Sequence, residues 1–332
     1  MTAPLSHIRW GIIGVGDVTE HKSGPGFQKA ERSSLVAVMR RDGAKAADYA
    51  TRHGVPRWYD DADALIHDPE VDAVYIATPP GSHADYAIRV AAAGKPVYVE
   101  KPMARTADEC RAMIDAADAA GVPLFVAYYR RAMPRFKIVE DLVRSGELGE
   151  IRTVSVRNTA PRDAGDPEHQ PWRLQPEISG GGLFVDLGSH ALDWLDHVLG
   201  PVEEVHGIAT NVTGTSAAED HVVAAFRWAS GAVGTGTWAY DDAERTDEIV
   251  LHGTRGSVRF PCFGEAPIRV RVGGVDREIQ APYPEHVQQP LIQLIVDELT
   301  GHGGPAPSTG RTALRTGEVI DAVLAGYRRA QA

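Results

Sequence analysis

The chain is poor in cysteine: Cys110 and Cys262 are the only two in 332 residues. That excludes a disulfide framework and a short-spaced thiolate metal pair, and leaves two buried or half-buried thiols as the expectation. Positive charge is also short. Lys and Arg number 34 against 45 Asp and Glu, a formal net charge of −11. Such a balance offers no footprint for a nucleic-acid backbone. No apolar run reaches the ~18 residues that a membrane span needs. Met1 to Ser6 lacks a basic stretch leading into a long apolar one, so no signal peptide is expected and a cytoplasmic location is. What is present suits a packed protein, with 43% apolar and 24% charged residues. The length implies two domains or one large one.

The first third alternates short apolar runs with helix-like stretches. Strands are expected at Ile8 to Ile13, Ser34 to Met39, Ala73 to Thr78, Pro96 to Glu100 and Pro123 to Tyr128. Near-continuous apolar strands imply burial on both faces, as in a parallel sheet covered by helices. Ala84 to Ala93 and Thr106 to Ala120 read as helices closed by Gly94 and Gly121. Together they predict an α/β fold with an N-terminal doubly wound parallel sheet of the Rossmann type.

The pattern then changes. Arg135 to Ser145 still reads as a helix, but Ile151 to Arg157 alternates with period two, as a half-buried strand does. His221 to Trp228 and Ala232 to Tyr240 flank a hairpin turn at Ala229-Ser230-Gly231. Further strands are expected at 202–210, 248–252, 257–260 and 268–272, and a closing helix at 311–329. This predicts a C-terminal α+β domain with a largely antiparallel open sheet. The expected division is a dinucleotide-binding domain over 1–127 and a substrate-binding and oligomerisation domain over 128–332.

Gly14-Val15-Gly16 follows the first strand and precedes a helix, with Asp17 and Val18 next. Backbone amides at such a turn can meet a pyrophosphate; a tight strand-to-helix turn alone would also use these glycines. Thr19 stands where a third small residue is usual. At the end of the second strand, where a ribose reader sits, the residues are Arg40, Arg41 and Asp42. Guanidinium suits a 2′-phosphate, so NADP is preferred. NAD remains possible, with Asp42 reading the ribose.

Three further motifs follow in order: Ala77-Thr78-Pro79-Pro80-Gly81-Ser82-His83, Glu100-Lys101-Pro102, and Gly180-Gly181-Gly182 leading through Asp186 to His190. After a Gly-x-Gly strand, this series resembles the glucose–fructose oxidoreductase, inositol dehydrogenase and rhizopine-catabolism (Gfo/Idh/MocA) family over nearly the whole chain. The resemblance implies an NAD(P)-dependent oxidoreductase that interconverts alcohol and ketone on a sugar, polyol or cyclic diol. It implies cofactor contacts at Thr78, Pro79, Pro80, His83, Glu100 and Lys101, and a homodimer or homotetramer built through the C-terminal sheet. It also implies that Lys101 contacts the nicotinamide ribose and the reacting oxygen. His190 or Lys101 would then be the acid/base, with Asp186 completing the set.

The chemistry of these residue types agrees. Hydride transfer from an alcohol carbon needs a base for the hydroxyl proton, and the reverse reaction needs an acid. Histidine titrates nearest neutrality, which favours His190 for the proton, and a cationic Lys101 would polarise the carbonyl. The two are expected to meet one substrate oxygen from different domains. Asp186 and His190, four apart, would share one face of a helix. Asp186, His190, Asp193 and His197 also form a helical stripe that could ligate a metal, but no other ligand cluster is evident, and no metal is expected. Tyr129 and Arg173 are candidate substrate contacts, an aromatic face and a donor for a sugar ring and its hydroxyls. His169, His221 and His252 carry no spacing signal. Two other functions use the same residues: a glycosidase or epimerase working by transient oxidation on tightly held NAD, and a non-catalytic sensor of a dinucleotide or sugar.

Overall fold

A computed structural model describes residues 5–162 and 170–331, so His169 lies outside the described residues. The chain forms two compact units. The first comprises residues 1–104, 108–133 and 284–313; the second comprises 105–107, 134–283 and 314–332. The chain therefore passes between units more than once, where the sequence reading placed a single boundary after residue 127.

The first unit begins with β1 (Ile8–Ile13), α1 (Asp17–His21), α2 (Gly24–Lys29), β2 (Ser33–Met39), α3 (Gly43–His53) and β3 (Arg57–Tyr59). It continues through α4 (Ala62–Ile66), β4 (Ala73–Ile76), α5 (His83–Ala92), β5 (Val97–Val99), α6 (Ala107–Ala120) and β6 (Leu124–Val126). Its six strands run in the order β3-β2-β1-β4-β5-β6, every neighbouring pair parallel. This is the doubly wound order whose switch point, beside β1, places ligands at the strands' carboxyl ends. β4, β5 and β6 are buried at every residue, which explains their unbroken apolar sequences. Trp10, Phe27, Tyr75 and Tyr98 pack as one aromatic cluster, with ring centroids 4.8 to 6.3 Å apart.

The second unit is built from α7 (Pro134–Arg144), β7 (Ile151–Thr159), α8 (Pro176–Ser179), a π-helical turn (Phe184–Gly188) and α9 (Ser189–Leu199). There follow β8 (Val202–Thr210), β9 (His221–Trp228), β10 (Val233–Ala239), β11 (Thr246–Gly253), β12 (Gly256–Phe260), β13 (Ile268–Val272) and β14 (Val275–Ile279). The chain then supplies α10 (Gln289–Leu299) to the first unit and ends in α11 (Gly310–Gln331). The eight strands run β14-β13-β12-β11-β7-β10-β9-β8, antiparallel except for β10 beside β7.

Alternation along these strands sorts side chains onto two faces. Val222, Ala224, Phe226 and Trp228 of β9 are buried. On that buried side Phe136 of α7, Trp194 of α9 and Phe260 of β12 meet edge-to-face at 5.2 to 5.9 Å. The opposite face leaves Ile208, Val223 and Val233 exposed at 73%, 51% and 48%. No helix among the described residues is long and apolar enough to cross a membrane.

Candidate active site

In the first unit the turn after β1 is set by contact with the segment that leaves β4. Gly14 has φ of +94°, and a Cβ there would lie 2.6 Å from the Thr78 side chain, so only glycine fits. Gly16 differs. Its φ of −175° is extended, and a Cβ built on it meets no atom within 4 Å. Nothing in the chain demands glycine at that point, whereas a phosphate approaching the backbone would. Thr19 and Glu20 make the first bonds of the next turn, each to the Gly16 carbonyl at 3.0 Å. The amides of Asp17 and Val18 precede those bonds, as the outward donors of a helix start do. The residues present thus fit a dinucleotide phosphate.

Thr19 fills the third small position without loosening the turn. It is fully buried, its hydroxyl accepts from the Gly16 amide at 2.9 Å and donates to the Gly16 carbonyl at 2.8 Å. Its own carbonyl accepts from Tyr49 at 2.9 Å. Arg40 bends back to donate to the Val15 carbonyl at 3.2 Å, while Arg41 is exposed. Asp42 caps α3.

Beyond β4, Thr78 is half-buried, Pro79 exposed and Pro80 buried. His83, expected among the cofactor contacts, has no exposed surface. Its Nε2 lies 2.6 Å from the Thr78 carbonyl and its Nδ1 3.1 Å from the Pro102 carbonyl, so it ties the Thr78 loop to the segment after Lys101. Burial lowers its pKa, against the pull of these carbonyls and Glu100.

Glu100, also expected at the cofactor, is buried in a network. One carboxylate oxygen accepts from Tyr75 and from Gln288, both at 2.5 Å, and the other accepts from the Lys101 amide at 3.0 Å. Tyr98 completes the network by donating to the Gln288 side chain at 3.0 Å. Lys101 thus leaves the end of β5 from a peptide held by buried hydrogen bonds, and its bond to Pro102 is cis. Gln288 had no local sequence signal; its partner is 188 residues away. Tyr129, expected at the substrate, is buried, with the Arg130 guanidinium 5.1 Å from its ring centroid.

In the second unit the motif ending at His190 is not one regular helix. Asp186 lies in the π-helical turn and His190 in α9, so their spacing spans a change of helical pitch. Such turns recur at functional sites. Asp186 accepts from Arg173 Nε at 3.1 Å, and that guanidinium stacks on Trp172 at 4.3 Å. His190 is buried, with the half-exposed ring of Phe263 edge-on at 5.7 Å. Phe263 sits in a loop that the sequence did not single out. Asp247 accepts three successive amides there, from Cys262, Phe263 and Gly264, at 2.9, 2.6 and 2.8 Å.

The lower half of the expected stripe has other partners. Asp193 accepts from Thr316 at 3.4 Å, and His197 pairs with the buried Glu140 at 3.3 Å. Among the described residues no group of three or more His, Cys, Asp or Glu could hold a metal ion.

A six-stranded parallel sheet with a glycine turn at its switch point defines a dinucleotide-binding protein, and a second unit carrying an Asp-x-x-x-His turn accompanies it. Residues 8–128 match the oxidoreductase family with an NAD-binding Rossmann fold, and residues 136–259 match the GFO/IDH/MocA C-terminal domain. The chain belongs to the Gfo/Idh/MocA family and is an oxidoreductase. It is 38% identical to Oxidoreductase P35 of Formosa agariphila, covering 94% of this chain and 97% of that one. It is 28% identical to a 1,5-anhydro-D-fructose reductase of Ensifer adhaerens, covering 96% and 97%. An aldose–aldose oxidoreductase of Caulobacter crescentus, solved with glycerol, superposes with a TM-score of 0.86 at 29% identity, covering 98% of both chains.

Proposed function

We propose that this enzyme interconverts an alcohol and a ketone on a sugar, polyol or cyclic diol, with NADP preferred and NAD possible. The observation that carries the reading is Lys101, placed at the carboxyl end of β5 and held through Glu100 in a unit built for a dinucleotide. The kinship with a reductase of an anhydro-sugar and an oxidoreductase of aldoses supports the substrate class.

Gly14, Gly16, Asp17, Val18, Thr78, Pro79 and Pro80 hold the dinucleotide, with Arg40 and Arg41 on the 2′-phosphate. His83 and Glu100 act from behind, through Thr78 and Lys101. When bound, the nicotinamide supplies or takes the hydride. Lys101 polarises the substrate carbonyl, its positive charge meeting the negative charge that grows on oxygen in the transition state. His190 gives or takes the hydroxyl proton. Asp186 orients the reacting group, and Arg173 and Tyr129 hold the rest of the substrate. The first unit serves as the cofactor domain and the second as the substrate domain. The enzyme works in the cytoplasm, where its two buried cysteines stay free thiols, as a homodimer or homotetramer through the open sheet face.

The test is a screen of NADPH oxidation and NADP reduction over sugars, keto-sugars, inositols and diols. Turnover with at least one member, higher with NADP than with NAD at equal concentration, is expected. No turnover in either direction with either cofactor would sink the reading.

A further inference from the structure

Glu219 lies in the strand approach before β9, outside every motif read from the sequence. It is buried, and one carboxyl oxygen accepts from the Gly182 amide at 2.7 Å. The Val185 amide also acts on it. The carbonyl of the same Gly182 accepts from the Asp186 amide at 3.2 Å, the first bond of the helical run that continues to Leu199. One peptide-long step therefore joins the Glu219 carboxyl to the Asp186 backbone.

The glycines show how tightly this is built. A Cβ on Gly181 would lie 3.1 and 3.2 Å from the two Glu219 carboxyl oxygens. A Cβ on Gly182 would lie 2.3 Å from the Glu219 carbonyl. Val185 would lie nearer still to a Cβ on Gly181, at 2.4 Å, so the turn is packed between Val185 and Glu219 with no room for a side chain. From α11, Arg328 donates to the Gly180 carbonyl at 2.7 Å and closes the other side of the turn.

We propose that Glu219 is a positioning residue of the reaction: its carboxyl pins the Gly181–Gly182 turn and so sets where the π-helical turn begins, and with it the placement of Asp186 and His190. A turn with five-residue hydrogen-bond spacing can relax into a regular α-helix by shifting one residue. An acceptor fixed at the amide of Gly182 opposes that shift. This rests on the assignment of Asp186 and His190 to the reaction.

The test uses the full chain, a substrate found in the screen, and four variants. Glu219→Gln keeps an acceptor oxygen for the Gly182 amide, and Glu219→Ala removes it. With Glu219→Ala, kcat should fall roughly tenfold to a hundredfold, the scale on which misplacement of catalytic groups acts. NADP affinity, set in the other unit, should not change, and amide hydrogen exchange over 180–190 should speed up. Glu219→Gln should recover most of kcat and of the protection. If Glu219→Ala does not fold, Glu219→Asp, which withdraws the carboxylate by one carbon, takes its place under the same criteria. Wild-type kcat in the Ala or Asp variant overturns the proposal, as does a kcat loss with wild-type exchange over 180–190. His190→Asn separates the two readings. If it keeps wild-type turnover, the assignment of the site fails. If it collapses turnover while Glu219→Ala does not, only the role of Glu219 fails.

Discussion

Asp42 is engaged by Lys45: one carboxylate oxygen accepts the Lys45 amide at 3.2 Å, and the other pairs with its ammonium at 3.3 Å. The backbone bond to Lys45 is the main reason its pKa is lowered. With Asp42 committed to the cap of α3, the proposed readers of a 2′-phosphate in this loop are Arg40 and Arg41.

Replacing Arg40 and Arg41 with Ser should therefore weaken NADP far more than NAD. A charge-assisted contact is worth about 1.5–3 kcal/mol, roughly tenfold to a hundredfold in affinity for each one lost. Titrating both cofactors into both proteins checks this. Equal weakening would mean that the arginines only shape the loop, as the bond from Arg40 to the Val15 carbonyl also allows.

His190→Asn should lower kcat by ~10²–10⁴, the usual worth of general acid–base catalysis, with little change in cofactor affinity. Lys101→Met keeps the stem, removes the charge and should also impair turnover. On the proposed function, in which both groups act on one transition state, the double variant should lose less than the product of the single losses. The measurement is kcat/KM against pH for all three. Wild-type turnover in both single variants would remove these residues from the reaction.

Stability should report the burial of Glu219. Its carboxyl is pushed up to about 7, first by burial, against the Gly182 amide and the Arg328 charge. Burial, with the Glu219 charge adding to it, raises the pKa of Tyr240 and of Tyr327 nearby. A folded pKa above the ordinary 4.5 means that the folded state binds the proton more tightly. The resulting stabilisation is full below the unfolded value and is lost as pH rises through about 7, a change of about 3 kcal/mol. Glu219→Gln cannot ionise. Its Tm relative to wild type should rise between about pH 5 and 8 and level off above. A constant difference across that range would show that Glu219 does not titrate there.

The exposed sheet face should be an interface between copies of this chain. Ile208, Val223 and Val233 project from neighbouring strands β8, β9 and β10 on the side away from the core. Val223→Asp should shift the protein toward monomer by light scattering while leaving the fold intact, because the side chain is already in solvent in a single chain. A wild-type chain that scatters as a dilution-independent 35.8 kDa species would end this idea.

Five of the six strands of the first sheet and the alternation of β7, β9 and β10 were legible in the sequence alone. Near-neighbour sterics and burial impose a period of two, or an unbroken apolar run, on the residues themselves. β3, with only three residues and none fully buried, carried no such pattern, and neither did β14, which is nearly all exposed. The glycine turn, the Glu-Lys-Pro motif and the Asp186–His190 spacing were legible as chemistry, but the supports behind them were not. That Gly181 and Gly182 are packed against Val185 and Glu219, that Glu100 holds the Lys101 amide with the help of Gln288, and that His83 is buried between the Thr78 and Pro102 carbonyls were decided only by tertiary structure. Local sequence determines which element a segment forms, since that depends on neighbours along the chain. Which buried polar group meets which is decided by packing, because each must find a hydrogen-bond partner wherever the fold brings one within reach.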